Sequence, residues 1–356
     1  MAGRRVVESL PLVAASLDAL RRGQADSGGF IAGPNFPTYR YVWLRDGSFC
    51  AHALDRYAEP ERAAAFHHFV ARALLRDPRR VERAIDAALV GGEPRLMLPT
   101  RFTIDGTEEP NSDIAWPNFQ LDGYGAWLWA LADHVNRGGE LTAELRQAAD
   151  LVARYLRAAG HLPCFDCWEE YGDKQHTATI AAVLAGLSAA RELLGGDPVP
   201  AWPLSIVDGS LVKFSGSTQV DGSLLSVALP FGVLSTRDRV MATTVRRIEA
   251  ELVGPGGGVR RYLGDTYYGG GDWILLTAWL GWYRAVCGDL DGAQRARSWI
   301  EAAATPDGQL PEQLTGAAQQ PDMVQPWIDK WGPVATPLLW SHAMYLILTD
   351  VLRRAA

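Results

Sequence analysis

The sequence predicts an all-α protein, a closed barrel of helical hairpins with long loops. Three observations carry that expectation. Apolar residues recur three and four apart over most of the chain, the spacing of amphipathic helices. The stretches between these helices are long and collect most of the Gly, Pro, Trp and acidic residues. Finally, no fixed sequence period supports the other way of pairing so many helices, an open solenoid.

The helical segments fall near 5–22, 47–57, 60–75, 80–90, 120–137, 142–158, 175–194, 236–252, 270–287, 290–304 and 336–354. Several carry stop signals: Gly160 follows LVARYLRAA, and Gly195-Gly196 follow AARELL. The connectors span 24–46, 92–119, 161–174, 195–235, 253–269 and 305–335. Loops of that length in a compact protein are commonly functional. The alternation of PLSIVDGSLVKF, within 203–230, is the best strand candidate and predicts one short β-hairpin. No Pro/Ser-rich linker divides the chain, so residues 1–356 are expected to form one domain.

Composition narrows the function classes. The chain is 48% hydrophobic and 21% charged, enough apolar matter for a sizeable core. Its formal net charge is -7 and it has no long Lys/Arg run, which argues against nucleic acid or an anionic membrane as partner. The N-terminal stretch MAGRRVVESLPLVAASLDALRRG begins like a secretion signal, but Glu8 and Asp18 interrupt the apolar run. An amphipathic helix and a soluble, cytoplasmic protein are expected, as a monomer or small homo-oligomer. Cys50, Cys164, Cys167 and Cys287 are too scattered for a disulfide framework. The CxxC at Cys164–Cys167 lacks the second ligand pair that zinc would want, so no metal and no cofactor are expected.

The chain has 13 Trp against 11 Tyr and 10 Phe. Core filling accounts for some of this excess; a pocket walled by flat apolar faces with polar edges accounts for it more sharply. The connectors repeat one chemistry. YRYVWLRDGSF holds Tyr39, Trp43, Arg45 and Asp46; NSDIAWPNFQLDGYG holds Trp116; CFDCWEEYGD holds Trp168, Glu169 and Glu170. RRYLGDTYYGGGDW holds Arg261, Tyr267 and Trp273; GQLPEQL holds Glu312; PLLWSHAMYL holds Trp340. Ring faces, carboxylates and arginine forks are what a neutral polyhydroxylated ring requires of its binding site.

Glycosidic bond hydrolysis generally uses two carboxyl groups, one protonated and one ionised. Glu169, crowded by Asp166, Glu170 and indole faces, suits the acid; Glu312, far along the chain, can approach from the other side. Blander readings stand beside these. WEE also suits helix N-terminal acids, PEQ a helix start with Pro in its first turn, Arg45-Asp46 a local ion pair, and His176 a structural histidine.

Taken in order, YVWLRDGSF, QLDGYG, CFDCWEE…HTATIAAVLAGL, DGSLL, RRYLGDTYYGGGDW, PEQL and LLWSHAMYL resemble the inverting glucoamylase family, glycoside hydrolase family 15, over about residues 25–350. The resemblance implies an (α/α)6 barrel with the active site at its mouth, releasing β-glucose from a non-reducing end. By motif match Glu169 is the general acid and Glu312 the general base. Glu170, Arg45, Asp46 and Arg261 bind sugar, and Tyr39, Trp43, Trp116, Trp168, Tyr267, Trp273 and Trp340 match wall positions. The chain has no room for the β-sandwich that precedes the barrel in many bacterial members, and it resembles short members acting on small α-1,6-linked sugars. Isomaltose or short isomaltooligosaccharides are therefore the expected substrates. The alternatives are α-1,4 maltooligosaccharides, trehalose, or sugar binding without turnover.

Overall fold

The structure, a computed structural model, describes residues 11–109 and 118–355. Among the described residues twelve α-helices alternate with long connectors. In chain order they are α1 (Pro11–Gly23), α2 (Leu44–Arg56), α3 (Pro60–Leu75), α4 (Pro78–Leu89), α5 (Asp122–Asn136) and α6 (Ala143–Ala159). The second half holds α7 (Thr177–Leu194), α8 (Arg239–Leu252), α9 (Ile274–Val286), α10 (Leu290–Ala303), α11 (Val324–Trp331) and α12 (Leu339–Ala355).

An inner ring runs α2, α5, α7, a 3-10 helix at Gly222–Val227, α9 and α12, each packed on the next and α12 closing on α2. Five α-helices and one short 3-10 turn thus fill the six inner places of an (α/α)6 barrel. The outer helices lie against them: α1 on α12, α3 on α2, α6 on α7, α8 on the 3-10 helix and α10 on α9. Burial follows this layering. Every residue of α9 from Ile274 to Tyr283 is buried, whereas α8 buries one stripe, Met241, Thr244, Val245, Ile248 and Leu252. A helix enclosed on all sides must be apolar on all sides, and an outer one needs only a face. Helix α7 is long and apolar enough to cross a bilayer, and 67% of it is buried inside the protein. Helices α5 and α7 cross closely through a pair of glycines. A Cβ on Gly186 would come within 2.6 Å of the Gly125 Cα, so only a glycine pair permits that approach.

Three antiparallel pairs of two-residue strands complete the fold: β1 (Val42–Trp43) with β2 (Arg101–Phe102), β3 (Ile206–Val207) with β4 (Ser210–Leu211), and β5 (Asp272–Trp273) with β6 (Gln313–Leu314). The middle pair is the hairpin expected in 203–230. Its turn residues Asp208 and Gly209 both have left-handed φ, 50° and 74°, as a two-residue hairpin loop requires. The other two pairs join segments distant in sequence, with Trp43 opposite Arg101 and Trp273 opposite Gln313.

The structure corrects several expected boundaries. The helix expected over 270–287 begins only at Ile274, with Asp272–Trp273 forming β5. Helix α2 starts at Leu44, so Arg45 and Asp46 lie in its first turn and not in the preceding loop. The connector 305–335 contains α11, whose eight residues hold Pro326 and show too few turns to register as a period.

Candidate active site

The N-terminal ends of α2, α9 and α12 open onto one pocket of about 820 Å³. Arg45 and Asp46 enter it from the first turn of α2, Trp273 from the residue before α9, and Trp340 from the first turn of α12. The loops bring the rest. Tyr39, Trp43, Trp168, Glu169, Glu170, Arg261, Tyr267 and Glu312 line the same pocket. Every predicted site residue that the structure describes is therefore in one place; Trp116 lies outside the described residues.

Glu169 sits in a tight turn, not at a helix start, because α7 begins only at Thr177. Its φ is +67°, and Tyr171 is also left-handed at +52°. Asp166 holds this turn: its Oδ1 accepts from the Trp168 amide at 3.0 Å and from the Glu170 amide at 2.9 Å. Glu169 accepts a bond from Trp43 Nε1 at 3.1 Å. Burial pushes its carboxyl up to about 7, against the pull of Arg45, Arg101 and the Trp43 bond.

Glu312 precedes β6 and is only 3% exposed. PEQ thus leads through a bend into β6, and the helix-start reading fails. Tyr39 donates to Glu312 Oε1 at 3.0 Å, and the Tyr39 and Tyr267 hydroxyls are 2.8 Å apart. Burial raises the Glu312 carboxyl to about 7 as well, opposed by Tyr39, Arg261 and Tyr267. Its Oε2 is buried without a hydrogen-bond partner among the described residues. The rings of Tyr39 and Trp43 meet edge-on at 5.7 Å, so two touching aromatics link the two carboxyls.

The remaining walls are charged but satisfied on one side only. Arg45 donates to Gln120 and to Asp122, each at 3.0 Å, and its guanidinium lies 5.2 Å from the Trp340 ring. Asp46 is 3.4 Å from Arg45 Nε, and burial pushes its carboxyl up to about 6. Arg261 is gripped by Asp265 at 2.7 and 2.5 Å and donates to Glu170 at 3.3 Å. Its guanidinium lies 5.4 Å from the Trp168 ring and 5.3 Å from the Trp273 ring. Buried polar atoms normally have partners. Here Trp273 Nε1, Glu312 Oε2, Trp327 Nε1 and Trp340 Nε1 have no hydrogen-bond partner among the described residues, and Arg45 Nε and Asp46 Oδ2 have only their 3.4 Å ion pair with each other; all six belong to residues lining this pocket. A ligand rich in hydroxyl groups would satisfy such a set, since each hydroxyl both donates and accepts.

Comparison with known proteins agrees with this geometry. The family model described as "Glycosyl hydrolases family 15" matches residues 10–198. The chain is 42% identical over 352 residues to an isomaltose glucohydrolase of Kribbella flavida, covering 94% of this chain and 90% of that one. The chain belongs to glycoside hydrolase family 15. It is similar in structure to a glycosidase variant in complex with glucose, with a TM-score of 0.88, 39% identity and 96% of both chains covered. A bacterial glucoamylase bound to acarbose shares the fold at a TM-score of 0.68 and 19% identity, covering 98% of this chain and 56% of that one. This family 15 protein is accordingly a glycoside hydrolase with an (α/α)6 barrel.

The sequence reading left out several residues that the pocket of this hydrolase contains. Arg101, Glu109, Trp327, Lys330 and Trp331 also line it. Arg101 arrives through the β1–β2 pair, and Trp327, Lys330 and Trp331 through α11. Lys213 lies behind the acid turn, within reach of Asp166, Glu170 and Asp221. An isolated charge in a loop carries no signal in one sequence. The thiols of Cys164 and Cys167 are free, and burial pushes both up, away from the reactive thiolate. His176 precedes α7, with Nε2 3.0 Å from the Tyr171 carbonyl, which is a structural placement. Asp55, His67 and His134 lie within 4.8 Å of one another, with His134 Nδ1 at 2.9 Å from Asp55. Asp55 lies near the end of α2 opposite to Arg45 and Asp46.

Proposed function

We propose that this hydrolase removes single glucose units from the non-reducing ends of small α-glucosides, isomaltose and short isomaltooligosaccharides first, with inversion to β-glucose. One observation carries the chemistry: two buried carboxyls on separate loops of one pocket, each raised to about 7, with one oxygen of Glu312 lacking a hydrogen-bond partner among the described residues. In this reading Arg45 and Asp46 hold hydroxyls of the terminal glucose, and Glu170 and Arg261 hold the sugar further out. Glu169 gives its proton to the bridging oxygen as the bond breaks. Glu312 Oε2 takes a proton from the water that attacks the opposite face, while Tyr39 keeps Oε1 fixed. Flanking carboxylates and π-faces stabilise the positive charge that develops on the ring.

The productive form holds a proton on Glu169 and none on Glu312. Their raised positions put the active window near neutral pH, which suits an acid and a base working together there. The likeness to an isomaltose glucohydrolase over nearly the whole chain supports the α-1,6 preference. A trehalase of Thermoplasma volcanium is more distant, 25% identical with 43% of its length matched.

The test is an NMR time course on isomaltose together with relative rates on isomaltose, maltose, trehalose and panose. β-Glucose as first product and the highest kcat/KM on isomaltose are expected. α-Glucose first would refute inversion, and an equal or higher kcat/KM on maltose or trehalose would refute the linkage preference.

A further inference from the structure

Lys213 follows β4 and is 4% exposed. A buried ammonium requires compensation. Three carboxylates supply it: Asp221 at 3.2 Å, Asp166 at 3.4 Å and Glu170 at 3.4 Å. Its Nζ also lies 3.5 Å from the centre of the Tyr262 ring and 5.0 Å from that of Tyr171. The other charged or titratable groups around this cluster are Arg261, bonded to Glu170, and His176, whose Nδ1 is 3.8 Å from Asp166.

Each carboxylate facing Lys213 holds a different part of the acid turn. Asp166 accepts the amides on either side of Glu169, those of Trp168 and Glu170. Asp221 accepts the Trp168 indole N–H at 3.0 and 3.1 Å and the Ser223 amide at 2.8 Å. Glu170 accepts from Tyr262 at 2.7 Å. The turn needs such support. Glu169 and Tyr171 both have left-handed φ, which side chains larger than glycine adopt only when their surroundings impose it.

We propose that Lys213 is a positioning residue for proton donation: its ammonium ties Asp166, Asp221 and Glu170 into one clamp that fixes the Trp168–Glu170 turn and aims Glu169 at the leaving oxygen. This rests on Glu169 being the general acid. The ammonium reaches Asp166, Asp221 and Glu170 rather than the Glu169 carboxyl, so it acts on where the proton is delivered. Without the ammonium, Asp166 and Asp221 face each other in a buried site with no cation between them, and the turn loses its shape.

The discriminating experiment compares two substrates in two variants. Isomaltose has a poor leaving group and depends on protonation, whereas fluoride leaves from α-glucosyl fluoride with little help from an acid. Lys213→Met is expected to lower kcat on isomaltose about 100-fold and on α-glucosyl fluoride less than about 10-fold, the span that general acid catalysis contributes. Glu169→Gln should show the same selective loss. If Glu169→Gln impairs both substrates equally, the assignment of the acid fails. If Glu169→Gln is selective and Lys213→Met is not, or if Lys213→Met retains wild-type kcat, the clamp is refuted.

Should Lys213→Met fail to fold, the double variant Lys213→Met/Asp166→Asn decides. The asparagine oxygen still accepts both amides and one buried charge is gone, so folding and the selective loss are expected to return. A double variant that folds with equal losses on both substrates, or that does not fold, overturns the proposal.

Discussion

Glu312→Gln should make the protein more stable as it becomes inactive, and the gain should depend on pH in a defined way. The Glu312 carboxyl is displaced from 4.5 to about 7, chiefly by burial. At about 1.4 kcal/mol per pH unit, ionising it inside the fold costs roughly 3 kcal/mol. The sign follows from proton counting. Between pH 4.5 and about 7 the folded protein holds a proton that the unfolded chain has released, so stability falls as pH rises through that window. Glutamine keeps an oxygen for Tyr39 and carries no charge. The variant should match the wild type at the acid end of the window and exceed it above neutrality. For 356 residues, scaling the typical unfolding entropy per residue turns roughly 3 kcal/mol into a Tm gain of about 4 °C. Calorimetric Tm values for both proteins across the window measure the gain, and kcat on isomaltose, expected to fall by at least about 100-fold, is measured alongside. A Tm difference that is flat with pH, or that closes as pH rises, would refute the reasoning.

Three further outcomes are expected. Tyr39→Phe removes a bond that favours the ionised Glu312, so the acid limb of the kcat/KM profile should move up by about half to one pH unit. Trp43→Phe removes the bond that favours ionised Glu169, so the alkaline limb should move up by a similar amount, about half to one pH unit. Both variants displacing the same limb would contradict the division of roles. Gly186→Ala, which forces a methyl against Gly125, should cost about 1–3 kcal/mol, seen as a lower Tm with an unchanged KM.

The helical framework was legible because periodicity is written over ten or more residues at a time. Each of the eleven expected segments holds a helix among the described residues, with residues 5–10 of the first lying outside them, and α11 escaped because eight residues with an internal Pro326 carry little period. The pairs β1–β2 and β5–β6 were not legible, since a two-residue strand has no alternation to read. The site divides in the same way. Residues embedded in composite motifs, such as Glu169 beside Trp168 or Arg45 beside Asp46, stood out from the sequence. Arg101 and Lys213 did not, because their roles come from partners brought together only by folding. The left-handed φ of Glu169 was equally hidden, being imposed by Asp166 and contrary to what a glutamate prefers.

The edge-on contact of Tyr39 with Trp43 has a consequence for how this catalyst can change. One ring touches Glu312 and the other touches Glu169, and five consecutive residues carry both. That short piece of chain is a gauge block set between the two buried carboxyls, although it supplies neither. The two catalytic mechanisms of glycosidases differ by a gap of a few ångströms, about 6.5–9.5 Å for inversion against about 5–5.5 Å for retention. A lineage could exchange either carboxylate and keep its stereochemistry, because the spacer would remain. To reverse the outcome it would have to recut residues 39–43, and with them the seats of both acids at once.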